Sequence, residues 1–447
     1  MKKAYEKPFI TRQLGGITNK FGSMTRTAVM DTIDGVKVAD LITEYGSPLF
    51  VYSERRIKEK YRHLIDAFSL RYPKVCHAWS YKTNYLKSIC RTFHRLGSWA
   101  EVVSEMEYEM AIKLGIVPSQ IIFNGPFKPY KCLKRALSDG ATVNLDNMDE
   151  LYEAEKISTE MDSPVTAGIR VNMSLGTSMA WDRFGFNIES GQAHHAVKRA
   201  VSGGKVKIEG VHAHVGTFLL DPDTYRLEVE KLIEFSMMLK DEFGIKVKYI
   251  DIGGGFPSHN KLKGTYLSTS DMVPIFERYA EVICDQMLAA FKPDELPLLI
   301  LESGRALIDE AGMLISSVAA VKRLNNGMRA LVIDAGVNLL FTSFWYDHEI
   351  FPTVDKGTPM EEHVIYGPLC MQIDVIRTQI RLPYLEKGDS IIIKSVGAYN
   401  NTQWMQFINL RPNIVMISDK GKVSLIREAE TVDYLQERER FPEWLKD

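Results

Sequence analysis

Between residues 75 and 305, short apolar runs that stop abruptly at polar or glycine residues alternate with stretches of helical periodicity. The runs read KVCHAWSYKTN, SWAEVVS, QIIFNG, ATVNLDN, TAGIRVN, EGVHAHVG, VKYIDIGGG and LPLLILESGR, eight in all. Between them lie segments such as YRLEVEKLIEFSMMLKDEFG, in which Leu227, Val229, Leu232, Ile233, Phe235 and Met238 give mostly one apolar face and Gly244 suits a C-cap. Strands alternating with helices form right-handed βαβ units and a parallel sheet. Eight units in about 230 residues predict a (β/α)8 TIM-type barrel.

Past residue 306 the texture changes. Strand-like runs dominate (MLISSVAAV, RALVIDAG, EHVIYG, DSIIIKSVGAY, PNIVMIS, VSLIREA), which predicts an all-β domain over 306–447. The barrel is expected over 51–305, with 31–50 as a segment associated with the β domain. Residues 1–30 are polar, basic and without period, and are expected to be a flexible extension.

Composition narrows the function classes. With 55 basic against 57 acidic residues, nothing points to nucleic acid or an acidic membrane surface as partner. The longest apolar runs are strand-sized, far short of a membrane span. Five cysteines without CxxC spacing suggest neither a zinc site nor a disulfide framework, so no metal is expected. No secretory segment opens the chain, and a reducing, cytoplasmic setting is the expectation.

A barrel of this kind carries its chemistry at the C-terminal ends of its strands. Those ends hold Lys82, Glu101 with Ser104, Asn124, Asp146, Arg170, His214, the triple glycine Gly253, Gly254 and Gly255, and Glu302 with Arg305. Singly, each has a plain reading. Lys82 could be a solvated lysine, His212 and His214 satisfied core histidines, the glycines a turn, and Glu302 with Arg305 an ion pair. Their joint occurrence at successive strand ends favours a site.

The set suits a phosphorylated aldehyde cofactor. Pyridoxal 5'-phosphate needs a lysine for its Schiff base and a partner for its ring nitrogen. It also needs a phosphate cradle, where glycines let backbone N–H groups approach closely. Lys82, Glu302 and the triple glycine have that chemistry, and the imidazole of His214 can stack on a ring face.

With these motifs in view, the chain resembles the fold-type III pyridoxal-phosphate decarboxylases, the diaminopimelate and ornithine decarboxylase group, with the alanine racemase barrel as a relative. The resemblance covers roughly residues 31 to 430, with the motifs in family order. SYKTN looks like Tyr-Ala-x-Lys-x-Asn and implies that Lys82 is the Schiff-base lysine. AEVVSEMEYEMA is similar to Asp-Val-x-Ser-x-Gly-Glu, with Glu101 where aspartate is usual. HVGT resembles His-Ile-Gly-Ser, implying that His214 lies over the ring and that Thr217 takes the place of a phosphate-binding serine. DIGGGFP matches the phosphate loop at Gly253, Gly254 and Gly255. ESGR resembles Glu-Pro-Gly-Arg and implies Glu302 on the ring nitrogen, with Gly304 and Arg305 at the phosphate or substrate carboxylate. GAYN resembles Gly-Ala-Tyr and implies that Tyr399 reaches phosphate and substrate.

YGPLC resembles the family's Gly-Pro-x-Cys. There the cysteine comes from a neighbouring subunit, so the resemblance implies a homodimer with shared active sites and Cys370 as proton donor to Cα. Free thiols are mostly protonated at neutral pH and can serve as acids. In the diaminopimelate enzymes an arginine and a glutamate hold the substrate's far end. The matching positions here are Thr342 and Met371, while Tyr346 keeps the family tyrosine. The expected activity is removal of the α-carboxylate of an amino acid other than meso-diaminopimelate, with Arg305, Tyr346, Met371, Asp374 and Tyr399 at the substrate. Alternatives are diaminopimelate decarboxylation itself, with Asp374 or Asp347 as the far-end group, a pyridoxal-dependent racemase, and a non-catalytic binding paralogue.

Overall fold

The computed structural model describes residues 28–176, 181–265 and 272–445. The extension expected over 1–30 lies, but for its last three residues, outside the described residues. Eight strands form the barrel: β1 (Val75–Ser80), β2 (Trp99–Val102), β3 (Ile121–Phe123), β4 (Thr142–Leu145), β5 (Val165–Asn172), β6 (Val206–His212), β7 (Tyr249–Asp251) and β8 (Leu298–Leu301). Each pairs in parallel with the next, and β8 returns to β1 through Leu299 opposite Val75. All eight coincide with the apolar runs of the sequence. They are buried almost throughout, because helices cover one face and the other fills the barrel.

Helix starts are fixed locally. Ser104 Oγ accepts the Glu107 N–H at 3.2 Å, and the Glu107 carboxylate accepts the Val103 N–H at 2.8 Å. Asn147 and Glu150 repeat this reciprocal cap after β4. Each cap pins the turn between a strand end and its helix, which is where the chemistry-bearing residues lie. Gly244, at φ +70°, ends the helix Pro222–Phe243 as expected.

The second unit is a sheet ordered Val375–Leu382, Glu361–Tyr366, Arg329–Ile333, Gly312–Arg323, Leu49–Ser53, Ile414–Ile417, Val423–Arg427. Ser390–Lys394 pairs with Gly312–Arg323 and carries Ile350–Pro352. Leu49–Ser53 enters between Gly312–Arg323 and Ile414–Ile417, so it runs across the break expected at 50/51. Only from Glu54 does the chain turn back, as the helix Glu54–Ser69. Val375–Leu382 was not anticipated; the exposed Thr378 on one face and Gln379 and Arg381 on the other mask its strand pattern. Among the described residues no helix is long and apolar enough to cross a membrane.

The main core runs from barrel to sheet without a break. Beneath the mouth, the rings of Trp79 and Phe93 stack at 3.7 Å and 9°, both fully buried. Phe93→Ala should lower the unfolding free energy by about 3–5 kcal/mol, seen as an earlier denaturant midpoint.

Candidate active site

Lys82 sits in a single 3₁₀ turn, Tyr81–Thr83, directly after β1. Its Nζ donates to Glu101 Oε2 at 2.5 Å, across the neighbouring strand end. Desolvation pulls this ammonium down, but the carboxylates of Glu101 and Glu302 outweigh it and the net shift is upward. Lys82 is therefore held charged until its proton is passed on.

A ladder of amides and carboxyls crosses the barrel beneath it. Tyr249 OH donates to Asn144 Oδ1 (2.7 Å), Asn144 Nδ2 to Asn124 Oδ1 (2.8 Å), and Asn124 Nδ2 to Glu302 Oε1 (2.6 Å). Ser80 Oγ donates to Glu101 Oε2 at 2.6 Å. All of these members are buried, so each unmade bond would cost on the order of 1–3 kcal/mol. Burial opposes ionisation of Glu302, yet its polar neighbours hold the carboxyl below its usual range. Burial also lowers His212, whose Nε2 is 3.6 Å from Glu302 Oε2, beyond hydrogen-bond reach. A neutral His212 cannot hold Glu302 ionised, and that role passes to Lys82 and the Asn124 amide.

His214 turns its ring into the mouth, and its Nδ1 accepts the Gly254 N–H at 3.2 Å. Burial first, then the charges of Lys82 and Arg170, push it down to about 3. It is a neutral, flat imidazole at working pH. The triple glycine is only partly the donor set that the sequence suggests. The Gly253 N–H is taken by Asp251 Oδ1 at 2.9 Å and the Gly254 N–H by His214. Gly253 serves as a turn at φ +65°, where a Cβ would meet His214 Nδ1 at 2.6 Å. Gly254 and Gly255 line a recess beside Lys82, together with Thr217, Gly304, Arg305 and Tyr399. That recess opens off a cleft of about 390 Å³ lined by Lys82, Glu101, Arg170, His214, Glu302 and Arg305.

Arg305 is buried with its guanidinium 4.6 Å from the Tyr399 ring, bonded to Tyr346 OH and to Thr217 Oγ1 (3.2 Å). Tyr399 takes a positive φ of 64° and donates its N–H to Thr83 O at 2.8 Å, tying the sheet unit to the Lys82 turn. A non-glycine residue in that region costs about 1–3 kcal/mol and persists only where its surroundings demand it.

Several sequence-derived site residues lie elsewhere. Tyr346 is 1% exposed and reaches the cleft only through Arg305. Asp374 is also withdrawn from substrate contact. It is buried, and its two carboxylate oxygens accept the Val337 (2.8 Å) and Leu369 (2.7 Å) N–H groups. It builds the turn that presents Cys370. Thr342 is buried, with Oγ1 bonded to Asn400 and His348. Cys370 is exposed, and neither it nor the half-buried Met371 lines the cleft of its own chain. Sequence reasoning missed Trp181, Phe184 and Gln403, which join Trp345 in lining the cleft and come from loops without motif spacing.

The residues present fit pyridoxal phosphate. A lysine faces the cleft, a glycine-walled recess lies beside it, and an ionised buried carboxylate stands opposite with a neutral imidazole to one side.

Residues 54–309 match the family of the pyridoxal-dependent decarboxylase pyridoxal-binding domain. The chain is 32% identical over 416 residues to a diaminopimelate decarboxylase of Methanocaldococcus jannaschii, covering 89% of this chain and 92% of that one. It is 29% identical to the diaminopimelate decarboxylase of Aquifex aeolicus, with 91% and 94% covered. Two crystal structures of the M. jannaschii diaminopimelate decarboxylase, the second a co-complex with L-lysine, superpose with TM-scores of 0.86 and 0.85 at 30% identity, covering 95% of this chain and 99% of those.

Glu107 gives a pH test of the caps. Burial first, and then the nearby Glu101, push it up to about 7 from 4.5. The folded chain therefore holds a proton that the unfolded chain releases, and stability falls as pH rises through that window. Glu107→Gln should remove this slope, leaving the variant more stable than wild type above pH 7 by on the order of 1–3 kcal/mol, read from denaturation midpoints against pH.

Proposed function

The chain belongs to the pyridoxal-dependent decarboxylases, and from that membership we propose that it removes the α-carboxylate of an amino acid whose far end is apolar or amide-linked rather than that of meso-diaminopimelate. The observation that carries the substrate reading is Thr342. It stands where the diaminopimelate enzymes are expected to have a far-end arginine, and it is buried against Asn400 and His348. Met371 brings no charge, and Trp181, Phe184 and Trp345 give the cleft an aromatic wall.

When bound, pyridoxal phosphate supplies an electron sink for the pair left at Cα as carbon dioxide departs. The chain's own residues do the rest. Lys82 Nζ gives up its proton, with Glu101 Oε2 at 2.5 Å as the acceptor, and so becomes the nucleophilic amine. Glu302, ionised, would hold a proton on the ring nitrogen. His214 presents a neutral ring face and adds no positive charge of its own. Thr217, Gly255 and Tyr399 would cradle the phosphate in the recess that Gly254 walls, and Arg305 would meet a substrate carboxylate, steadied by Tyr346. Cys370 Sγ, from a second copy of the chain, returns a proton to Cα. The exposure of Cys370 outside its own cleft supports a homodimer with shared sites.

Carbon dioxide release from a panel of L-amino acids, with meso-diaminopimelate included, tests the substrate reading. A substrate with an apolar or amide far end should exceed meso-diaminopimelate by at least about 100-fold in kcat/KM. Equal or better turnover of meso-diaminopimelate overturns it. Mixing Lys82→Ala with Cys370→Ala homodimers should restore roughly a quarter of full activity, since a mixed dimer has one intact site. No recovery after subunit exchange contradicts the shared site.

A further inference from the structure

The cleft leaves one buried carboxyl unaccounted for. Asp251, at the end of β7, is fully buried. Its Oδ1 accepts the Gly253 N–H at 2.9 Å, but Oδ2 is buried without a partner. The reachable groups are the Glu302 carboxylate and the His212 ring, whose ligand atoms lie with its own within 4.8 Å of one another. Near Asp251 across the barrel are Glu302, Glu101, His212, Arg170 and Cys76, with Tyr249 on its own strand.

The charges around it do not balance if every carboxyl is ionised. Lys82 is taken by Glu101 at 2.5 Å, and Arg170 is nearest Asp146 at 3.5 Å. His212 is neutral through burial. Glu302 and Asp251 therefore face each other with only the Lys82 charge, already paired directly with Glu101, to offset them, and two carboxylates in that position cannot both stay ionised. Glu302 has the better support for its charge, because Asn124 donates to it at 2.6 Å. Asp251 has one backbone N–H and an empty oxygen.

We propose that Asp251 and Glu302 share one proton, carried on Asp251 Oδ2 and donated to Glu302, so that Asp251 is the positioning residue for the carboxylate that meets the ring nitrogen. This satisfies the orphaned oxygen, and it fixes the Glu302 carboxylate from the side opposite Asn124. Burial, followed by the Glu302 charge, also raises the Asp251 carboxyl well above its usual range. The donor limits the basicity of Glu302, which must hold the ring proton without removing it. The same side chain holds the turn at Gly253, so the ring-nitrogen partner and the glycine loop are set by one residue.

The kinetic part rests on Glu302 as ring-nitrogen partner; the location of the proton does not. Infrared spectra of the full-length holoenzyme at pH 8 test the proton directly. At that pH Glu107 and Asp309, raised only to about 7 and about 6, are ionised, while the buried Glu228, raised well above its usual range by burial, keeps its proton in both proteins and cancels in the difference. A protonated-carboxyl stretch should be present in wild type and reduced in Asp251→Asn. Asparagine keeps an acceptor for Gly253 and a donor for Glu302, whereas leucine keeps neither. Asp251→Leu should lose at least about 100-fold in kcat with a shifted visible cofactor band, and Asp251→Asn should recover most of both. The proposal is overturned if the infrared difference is absent, if Asp251→Asn is as impaired as Asp251→Leu, or if the purified holoenzyme carries a stoichiometric metal ion lost in Asp251→Asn. Should leucine prevent folding, the infrared difference and the cofactor band of Asp251→Asn still decide. Full activity in Glu302→Gln would instead sink the ring-nitrogen assignment and leave the infrared result standing.

Discussion

Barrel closure, through Leu299 opposite Val75 and Val206 opposite Val165, is the constraint on which everything else rests. Parallel strands in a closed ring deliver all eight C-terminal ends to one mouth. Residues as distant in sequence as Lys82 and Glu302 become neighbours by geometry alone. Closure also buries what lies just below the mouth, and that burial sets the chemistry. It keeps His214 and His212 neutral, makes the Asn124–Asn144–Tyr249 ladder obligatory, and leaves the carboxyls to compete for few cations.

The sheet unit acts on the mouth through short reaches of backbone. Tyr399 bonds Thr83 O, and Thr402 Oγ1 bonds Lys82 O at 2.8 Å, so both clasp the lysine turn from outside the barrel. Asp309 holds this approach. It is buried, with Ser258 donating to its carboxylate at 2.5 Å and the Gly397 N–H bonding its backbone carbonyl at 3.0 Å. Lys82, Arg305 and Tyr399 thus depend on one interface between the two units. A change at Asp309 acts on both units at once, on Ser258 after β7 and on the backbone that leads to Tyr399.

What the sequence made legible follows from what each pattern measures. Alternating apolar runs report burial on both faces, so all eight barrel strands could be read, and their ends named Lys82, Glu101, Asn124, His214 and Glu302. Val375–Leu382 was hidden because exposed polar residues fall on both of its faces, Thr378 on one and Gln379 with Arg381 on the other, and break the alternation. Motif order gave the positions of Tyr346, Asp374 and Thr342 but not their direction, and all three turn inward to bond Arg305, backbone N–H groups, and Asn400 with His348. A glycine run likewise reports close approach without saying which N–H groups are free; Asp251 and His214 take two of them. Trp181, Phe184 and Trp345 lie on connecting segments with no period, so only the folded chain brings them to one wall.

The account turns on Lys82 as the anchor of the cofactor at this mouth. Borohydride reduction of the purified holoenzyme, followed by digestion and peptide mass mapping, tests that most directly. The account predicts a single pyridoxyl-modified peptide carrying Lys82, and none in Lys82→Ala. Modification of a different lysine, or retention of the label in Lys82→Ala, would contradict it.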